Sequence, residues 1–145
     1  MVIEPRHPDD VAVQTLVAEQ QLELIEAEGD GHVVFPLQEH IDFVVGFVDG
    51  DPVACGALQR LGDGIGEIKR MYVVPHARGR GLSRRILAAL EDLAVRQGLH
   101  TVRLETGAFL APAVGLYTSS GYATIPPFGP YVGHPASVCY EKALS

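Results

Sequence analysis

"EIKRMYVVPHARGRGLSRRILAALEDLAVRQG", residues 67 to 98, decides how the rest of the chain is read. Its first nine residues are rich in Ile, Val, Met and Tyr and stop at Pro75, which cannot donate to a sheet ladder; they read as a strand. From Leu82 onward Leu82, Ile86, Leu90, Leu93 and Ala94 fall on one helical face, and Gly98 sits where a C-terminal glycine cap belongs. Between them, His76 to Arg85 packs four arginines and two glycines into ten residues. A strand, a glycine-bearing loop and a helix that opens near Gly81 make an anion seat. The first N–H groups of a helix have no internal partner and its dipole favours negative charge there. Glycine lets a phosphate approach the backbone closely, and Arg78 and Arg80 can add side-chain contacts. "RGRGLS", residues 78–83, therefore reads as a pyrophosphate cradle.

The charge distribution agrees. Between Lys69 and Arg103 lie eight of the eleven Lys and Arg residues but only two of the eighteen Asp and Glu, in a chain of net charge −7. A nucleic-acid binder would carry a broader basic face and a basic pI, and aromatic side chains for stacking are missing around residues 78–85. A small, local positive patch suits a small anionic ligand. A P-loop needs GxxxxGK followed by Ser or Thr, and no such lysine exists. "GRGLSR" lacks the third glycine of a dinucleotide fingerprint, and a hairpin precedes it where a βαβ unit should begin.

Outward from this stretch, 145 residues are expected to form one domain, residues 1–145. "MVIEPR" reads as an opening strand. Residues 10 to about 28 carry apolar positions at Val13, Leu16, Val17, Leu24 and Ile25, an amphipathic helix that "GDG" at 29–31 would close. "IDFVVGFVDGDPVACGALQRL" is a hairpin about Asp49-Gly50, and "GDGIG" makes the next turn into the strand of Glu67. "TVRLET" is a strand, "APAVGLYTSSG" a short helix with Pro112 in its first turn, and the Pro/Gly-rich tail ends in a strand over about 137–142. The order β-α-β-β-β-α-β-α-β(-β) predicts an α/β fold with a mixed, mostly antiparallel central sheet flanked by helices.

Cys55 and Cys139 stand in apolar contexts with no CxxC, as reduced core cysteines do. The six histidines show no HxH, HxxxH or HExxH spacing, so no metal site is expected. No apolar run approaches the roughly 18 residues of a membrane helix, and "MVIEPRHPDD" has no apolar signal core. A cytoplasmic protein without membrane or nucleic-acid partners is the expectation.

"ARGRGLSRRILAALEDLA" resembles the acetyl-CoA-binding pattern, Q/R-x-x-G-x-G/A, of the GNAT-type N-acetyltransferases, falling here on Arg78, Gly79, Arg80, Gly81, Leu82 and Ser83. "EIKRMYVVP" is similar to the strand that precedes that pattern in the family, and "AVGLYTSSGY" to its later A-hydrophobic-x-LYxxxGF/Y helix. The resemblance implies the acyl-CoA N-acyltransferase fold with splayed central strands, and direct transfer of acetyl from acetyl-CoA to a primary amine of a small molecule or peptide. A non-catalytic acetyl-CoA-binding domain is the alternative it leaves open. It implies that the backbone of residues 78–83 holds the cofactor and that an N–H of the splayed strand, among Met71, Tyr72 and Val73, polarises the thioester carbonyl.

Tyr117 takes the family's tyrosine position and would give a proton or hydrogen bond to the leaving thiolate. Glu67, eleven residues before the loop motif, stands where histone-acetylating relatives carry the base; Glu105 is the second candidate, and an exposed strand-end role for Glu67 is the plain alternative. The "IPPFGPYVGHP" loop, with Phe128, Tyr131 and His134, would border the acceptor pocket, making Tyr131 a substrate contact. Arg84 and Arg85 read as solvated helix surface, Lys69 and Arg103 as strand surface. The pattern departs from the family at Ser83, in place of Gly or Ala, and at Leu110, in place of a common Asn. Relatives are often dimers, and edge strands in the C-terminal half would allow a homodimer.

Overall fold

The computed structural model describes residues 1–28, 41–107 and 111–144. "GDG" at 29–31 and Leu110 lie outside the described residues. The first strand, β1 (Val2–Arg6), leads to helix α1 (Val11–Glu28), and then three strands run in succession: β2 (Ile41–Val48), β3 (Asp51–Gly62) and β4 (Ile65–Val73). Helix α2 (Leu82–Arg96) crosses to β5 (Thr101–Gly107), helix α3 (Ala111–Ser119) follows, and β6 (Ala123–Ile125) and β7 (Ser137–Ala143) complete a sheet of order β1-β2-β3-β4-β5-β7-β6. Every pairing is antiparallel except β4 with β5.

Local chemistry sets the turns. Asp49 and Gly50, and again Asp63 and Gly64, both take positive φ (51° and 84°; 56° and 75°), the conformation that lets a two-residue loop follow the twist of a hairpin. Gly98 at φ 79° closes α2, with Leu99 N–H returning to Ala94 O at 3.0 Å. The core lies where α2 crosses the sheet: Ile86, Leu87, Leu90 and Ala94 are buried against β3 and β4 residues including Leu58 and Ile68. Leu87 joins this face although the sequence stripe passes it by. In α1 only the first half of the predicted stripe is buried: Val13 and Leu16 are covered, whereas Ile25 is 46% exposed.

The feature that positions the site is the parting of β4 from β5. They pair only from Ile65–Thr101 to Ile68–Leu104, although β4 runs on to Val73 and β5 to Gly107. Beyond Ile68 the β3–β4 register shifts, two residues of β4 opposing one of β3 at Gly56, and Arg70 takes φ 56°; this is a β-bulge. A bulge bends its strand, and here the bend carries β4 away from β5. Gly56 lets α2 sit over the bulge, because a Cβ there would stand 2.6 Å from Leu90 Cδ1, 2.9 Å from Ile86 Cγ2 and 3.0 Å from Met71 Sδ. Gly56→Ala is expected to lower unfolding stability by about 1–3 kcal/mol, the usual cost of overpacking. Denaturant unfolding checks it; an unchanged midpoint would show that α2 does not rest on that glycine.

Candidate functional site

The loop between β4 and α2 takes one short 3₁₀ turn, Pro75–Ala77, and then two left-handed glycines, Gly79 (φ 80°) and Gly81 (φ 74°). Nothing lies within 4 Å of where their Cβ atoms would be, so these glycines serve backbone conformation and an open face, not internal packing. Gly81 is the N-cap of α2 and supplies no side-chain cap. The first N–H groups of α2, from Leu82 and Ser83 on, therefore stand ready for an anion.

The arginines are deployed differently from the sequence reading. Arg78 turns back: its Nε donates to Val73 O at 2.9 Å and its guanidinium pairs with Glu23 of α1 at 2.6 Å, 5.6 Å from the Tyr72 ring centre. Burial first, and then Glu23, push the Tyr72 phenol up to about 12. Arg84 is not idle surface, since it donates to Ser119 Oγ (2.7 Å) and Ser120 Oγ (3.3 Å) beyond it, tying the start of α2 to the end of α3. Arg85 donates to Met1 O at 2.9 Å. Arg80 alone of the four stays exposed at the loop itself with no such tie among the described residues.

On β4 the alternation of an antiparallel ladder sorts the backbone groups. Val74 N–H donates to Val53 O at 2.9 Å, so Tyr72 also faces β3, while Met71 and Val73 aim their N–H and C=O groups into the gap that β5 has left. Of the three residues expected to serve the thioester, Met71 and Val73 face the gap and Tyr72 faces β3. The gap-facing carbonyls already have partners, Gln20 Nε2 on Met71 O at 2.8 Å and Arg78 on Val73 O. The two N–H groups point the same way.

The other face of the sheet holds a cluster of ionisable groups. Glu67 is 2% exposed, in the body of β4 and not at an exposed strand end. Its Oε2 accepts a hydrogen bond from the Tyr131 hydroxyl, and its Oε1 lies 3.9 Å from Lys69 Nζ, which in turn donates to buried Gln59 at 3.1 Å. Lys69 is thus a half-buried member of the network and not an open surface side chain. Desolvation raises the Glu67 carboxyl above the usual carboxylate range, against the lowering pull of Tyr131 and Lys69, and nearby Glu105 adds to the rise. Glu105 itself is half-buried and accepts from Ser137 Oγ at 2.5 Å. Phe128 stacks edge-on to Tyr131 (5.3 Å), with Arg103 5.4 Å from the Phe128 ring centre.

Tyr117 is buried on α3 beside Tyr122 and Tyr140, at ring separations of 5.9 and 6.3 Å. Burial, helped by the Glu105 charge, raises its phenol well above the ordinary value, so it stays protonated and keeps its O–H as a donor. His134 contributes to the turn, its N–H donating to Tyr131 O at 3.1 Å. Cys55 and Cys139 are free and buried, and burial pushes the Cys55 thiol up to about 12. The described residues contain no group of three potential metal ligands, and no helix among them is long and apolar enough to cross a membrane. Sequence reasoning did not find the bulge at Arg70, the Glu23 tie or Gln59: a bulge leaves no compositional mark, and the other two act through contacts 55 and 10 residues away.

A glycine loop at a helix N-terminus, set beside a sheet parted at its centre, defines the acyl-CoA N-acyltransferase class of fold. The sequence pattern of the Acetyltransferase (GNAT) family matches residues 12–122, and the chain belongs to that family. It is 44% identical over 105 residues to an IAA acetyltransferase of Azospirillum brasilense, covering 72% of this chain and 69% of that one. A provisionally assigned acyl-CoA N-acyltransferase from Klebsiella pneumoniae superposes with a TM-score of 0.86 at 35% identity, over 99% of this chain and 97% of that one. A GNAT family acetyltransferase from Elizabethkingia anophelis, solved with acetyl-CoA bound, shares the fold at a TM-score of 0.73 and 12% identity, over 99% and 97% of the two chains.

The raised Glu67 carboxyl has a stability consequence. Between the unfolded carboxylate value and its raised folded value the native state holds more protons than the unfolded one, so stability falls as pH rises through that window. Glu67→Gln keeps the shape and an acceptor for Tyr131 but does not titrate. Across that window, the stability of Glu67→Gln relative to the wild type is expected to climb with pH, then level off. Parallel curves in denaturant unfolding from pH 4 to 8 would overturn the assignment.

Proposed function

We propose that this protein is an acetyl-CoA-dependent N-acetyltransferase that moves acetyl directly to a primary amine of a small molecule or peptide. The observation that carries the reading is the position of Glu67: a buried carboxylate fixed by a hydroxyl, on the same strand whose parted edge begins a few residues later. A domain that only bound acetyl-CoA would have no use for a desolvated carboxylate, which costs stability at neutral pH. Family membership and a relative solved with acetyl-CoA bound support the cofactor. The open Gly79 and Gly81 backbone fits a diphosphate.

In this reading the N–H groups of residues 78–83, with Arg80 beside them, hold the diphosphate. Ser83 keeps a small side chain where a larger one would crowd the loop, and its hydroxyl adds a donor. Met71 and Val73 N–H groups receive the charge that develops on the carbonyl oxygen, where fixed donors contribute most. Glu67 takes the proton from the acceptor's ammonium, because the nitrogen must have a lone pair before it attacks; Glu105, half-buried and with its own hydroxyl donor, is the second choice. Tyr117 donates a hydrogen bond to the departing sulfur. Its raised pKa makes full proton transfer to a thiolate uphill, so the hydrogen bond is its contribution. The acidic remainder of the surface favours a cationic acceptor.

Gly81→Glu forces a side chain into φ 74°, strain on the order of 1–3 kcal/mol, and places a carboxylate at the anion seat. Acetyl-CoA affinity is expected to fall about tenfold or more, and calorimetry giving equal affinities would end the cradle reading. Tyr117→Phe removes a hydrogen bond to a charged atom, a change of about ten- to a hundredfold in kcat. The acetyl-CoA dissociation constant should hardly move. Turnover is read by free-thiol release across a panel of amines, which also tests the function itself: no amine-dependent release with any acceptor would leave only the binding domain.

A further inference from the structure

Two carboxylates share the face of the sheet beneath the 126–136 loop, and each is capped by one hydroxyl from the C-terminal segment, Glu67 by Tyr131 and Glu105 by Ser137. They differ in burial. Glu67 and Tyr131 are 2% and 3% exposed, so their bond is made out of water, where it is strong and where losing it is costly. The groups facing Glu67 among the described residues are Gln59 from β3, Lys69 from β4, Glu105 from β5, Cys139 from β7 and Tyr131 from the loop. Tyr131 alone of these donates directly to the carboxylate. Lys69 Nζ is 3.9 Å from Oε1, beyond a hydrogen bond, and its own donation goes to Gln59.

We propose that Tyr131 is a positioning residue for Glu67 rather than a contact for the acceptor: it occupies Oε2, holds the carboxylate in one rotamer and leaves Oε1 as the oxygen that receives the acceptor's proton. This rests on the acetyl-transfer reading given above. The step balances simply. An N–H bond of the ammonium breaks, an O–H bond forms at Oε1, and the nitrogen keeps the electron pair with which it attacks. Tyr131 gives up no proton in this step, since the carboxylate beside it and its burial both hold the phenol protonated. Because Tyr131 stabilises the ionised form of Glu67, it also keeps the base available at lower pH than burial alone would allow. Phe128 packs edge-on against the Tyr131 ring and helps to fix its position.

Tyr131→Phe is the informative variant because it keeps the ring and its edge-on contact with Phe128 while removing the donor. In protein labelled at the glutamate carboxyl carbons, with Glu67 assigned by its loss in Glu67→Gln, the Glu67 titration midpoint is expected to move to higher pH in Tyr131→Phe and to stay in Ser137→Ala. No movement, or equal movement in both, would overturn the proposal. Should Tyr131→Phe not fold, the wild-type protein supplies the same test: a downfield, exchange-protected hydroxyl proton of Tyr131 should be present and should shift with Glu67 ionisation, and its absence would be decisive against the bond. With an acceptor in hand, Tyr131→Phe should lower kcat and carry the acidic limb of the kcat/KM profile upward with little change in acceptor KM. A raised KM with an unmoved limb would return Tyr131 to the role of substrate contact. Absence of acetyl transfer in the wild type, with the Glu67 midpoint behaving as described, would instead strike the enzymatic reading and leave the Tyr131–Glu67 bond standing.

Discussion

The parting of β4 from β5 after Ile68 is the constraint on which the rest depends. A sheet satisfies its backbone by pairing, and unpaired N–H and C=O groups in the middle of one are a cost that needs an outlet. Here three features limit the cost. The bulge at Arg70 turns β4 so that its far end continues to pair with β3; β5 keeps its other edge paired with β7 from Thr101 to Gly107; and the gap-facing carbonyls of Met71 and Val73 are met by Gln20 and Arg78. What is left over are two donors aimed into a gap, directly ahead of a loop whose glycines present more donors. The geometry that would be a defect in an ordinary sheet gathers N–H groups in one place.

Burial of Glu67 shows the same economy on the opposite face. An ionised carboxylate out of water is unfavourable unless it is paired and hydrogen-bonded, and half-satisfied polar networks are worse than apolar ones. Gln59, Lys69 and Tyr131 together bring the network close to satisfaction, yet desolvation still dominates and the carboxyl remains raised. A group held for stability alone would sit where its partners outweigh burial, as Glu23 does beside Arg78, where the hydrogen bond lowers the carboxyl. The two glutamates are thus distinguished by the sign of their shifts: Glu23 is a tie, and Glu67 keeps the raised carboxyl on which its proposed role as base rests.

Elements with a local chemical signature were legible in the sequence. Asp-Gly pairs marked both hairpins, Pro75 and Gly98 bounded the strand and helix around the loop, and the 3.6-residue period of α2 gave most of its buried face. Gly79 and Gly81 could be read as well, because left-handed backbone at a helix start asks for glycine. What could not be read are the relations between distant parts. Nothing in "KRMY" distinguishes a regular strand from one bulged at Arg70, and nothing around Tyr131 says that its hydroxyl reaches a carboxylate 64 residues away. Burial of Glu67 was likewise invisible, since alternation places it on a face but does not say that Tyr131 packs over it. Placement depended on the long-range register, and the register is set by the bulge.

The arginines of the loop follow from the same distinction. The sequence reading gave Arg78 and Arg80 to a phosphate and Arg84 and Arg85 to solvent, but Arg78, Arg84 and Arg85 each fasten the loop and the start of α2 to a different part of the molecule: α1, the end of α3 and the N-terminus. In the proposed reading the cradle takes its donors from the backbone, and backbone donors are useful only if their positions are fixed, so tying the loop down would serve anion binding more than adding flexible cations. The strength of these ties matters. Glu23 and Arg78 remain 40% and 44% exposed at the side chain, and exposed ion pairs contribute only about 0–1 kcal/mol. That is enough to bias the loop among its conformers and too little to commit the guanidinium against a diphosphate arriving beside it. Charge gathered at residues 78–85 thus ties the loop backbone down first, and Arg80, the one of the four arginines not drawn away among the described residues, stands at the proposed seat.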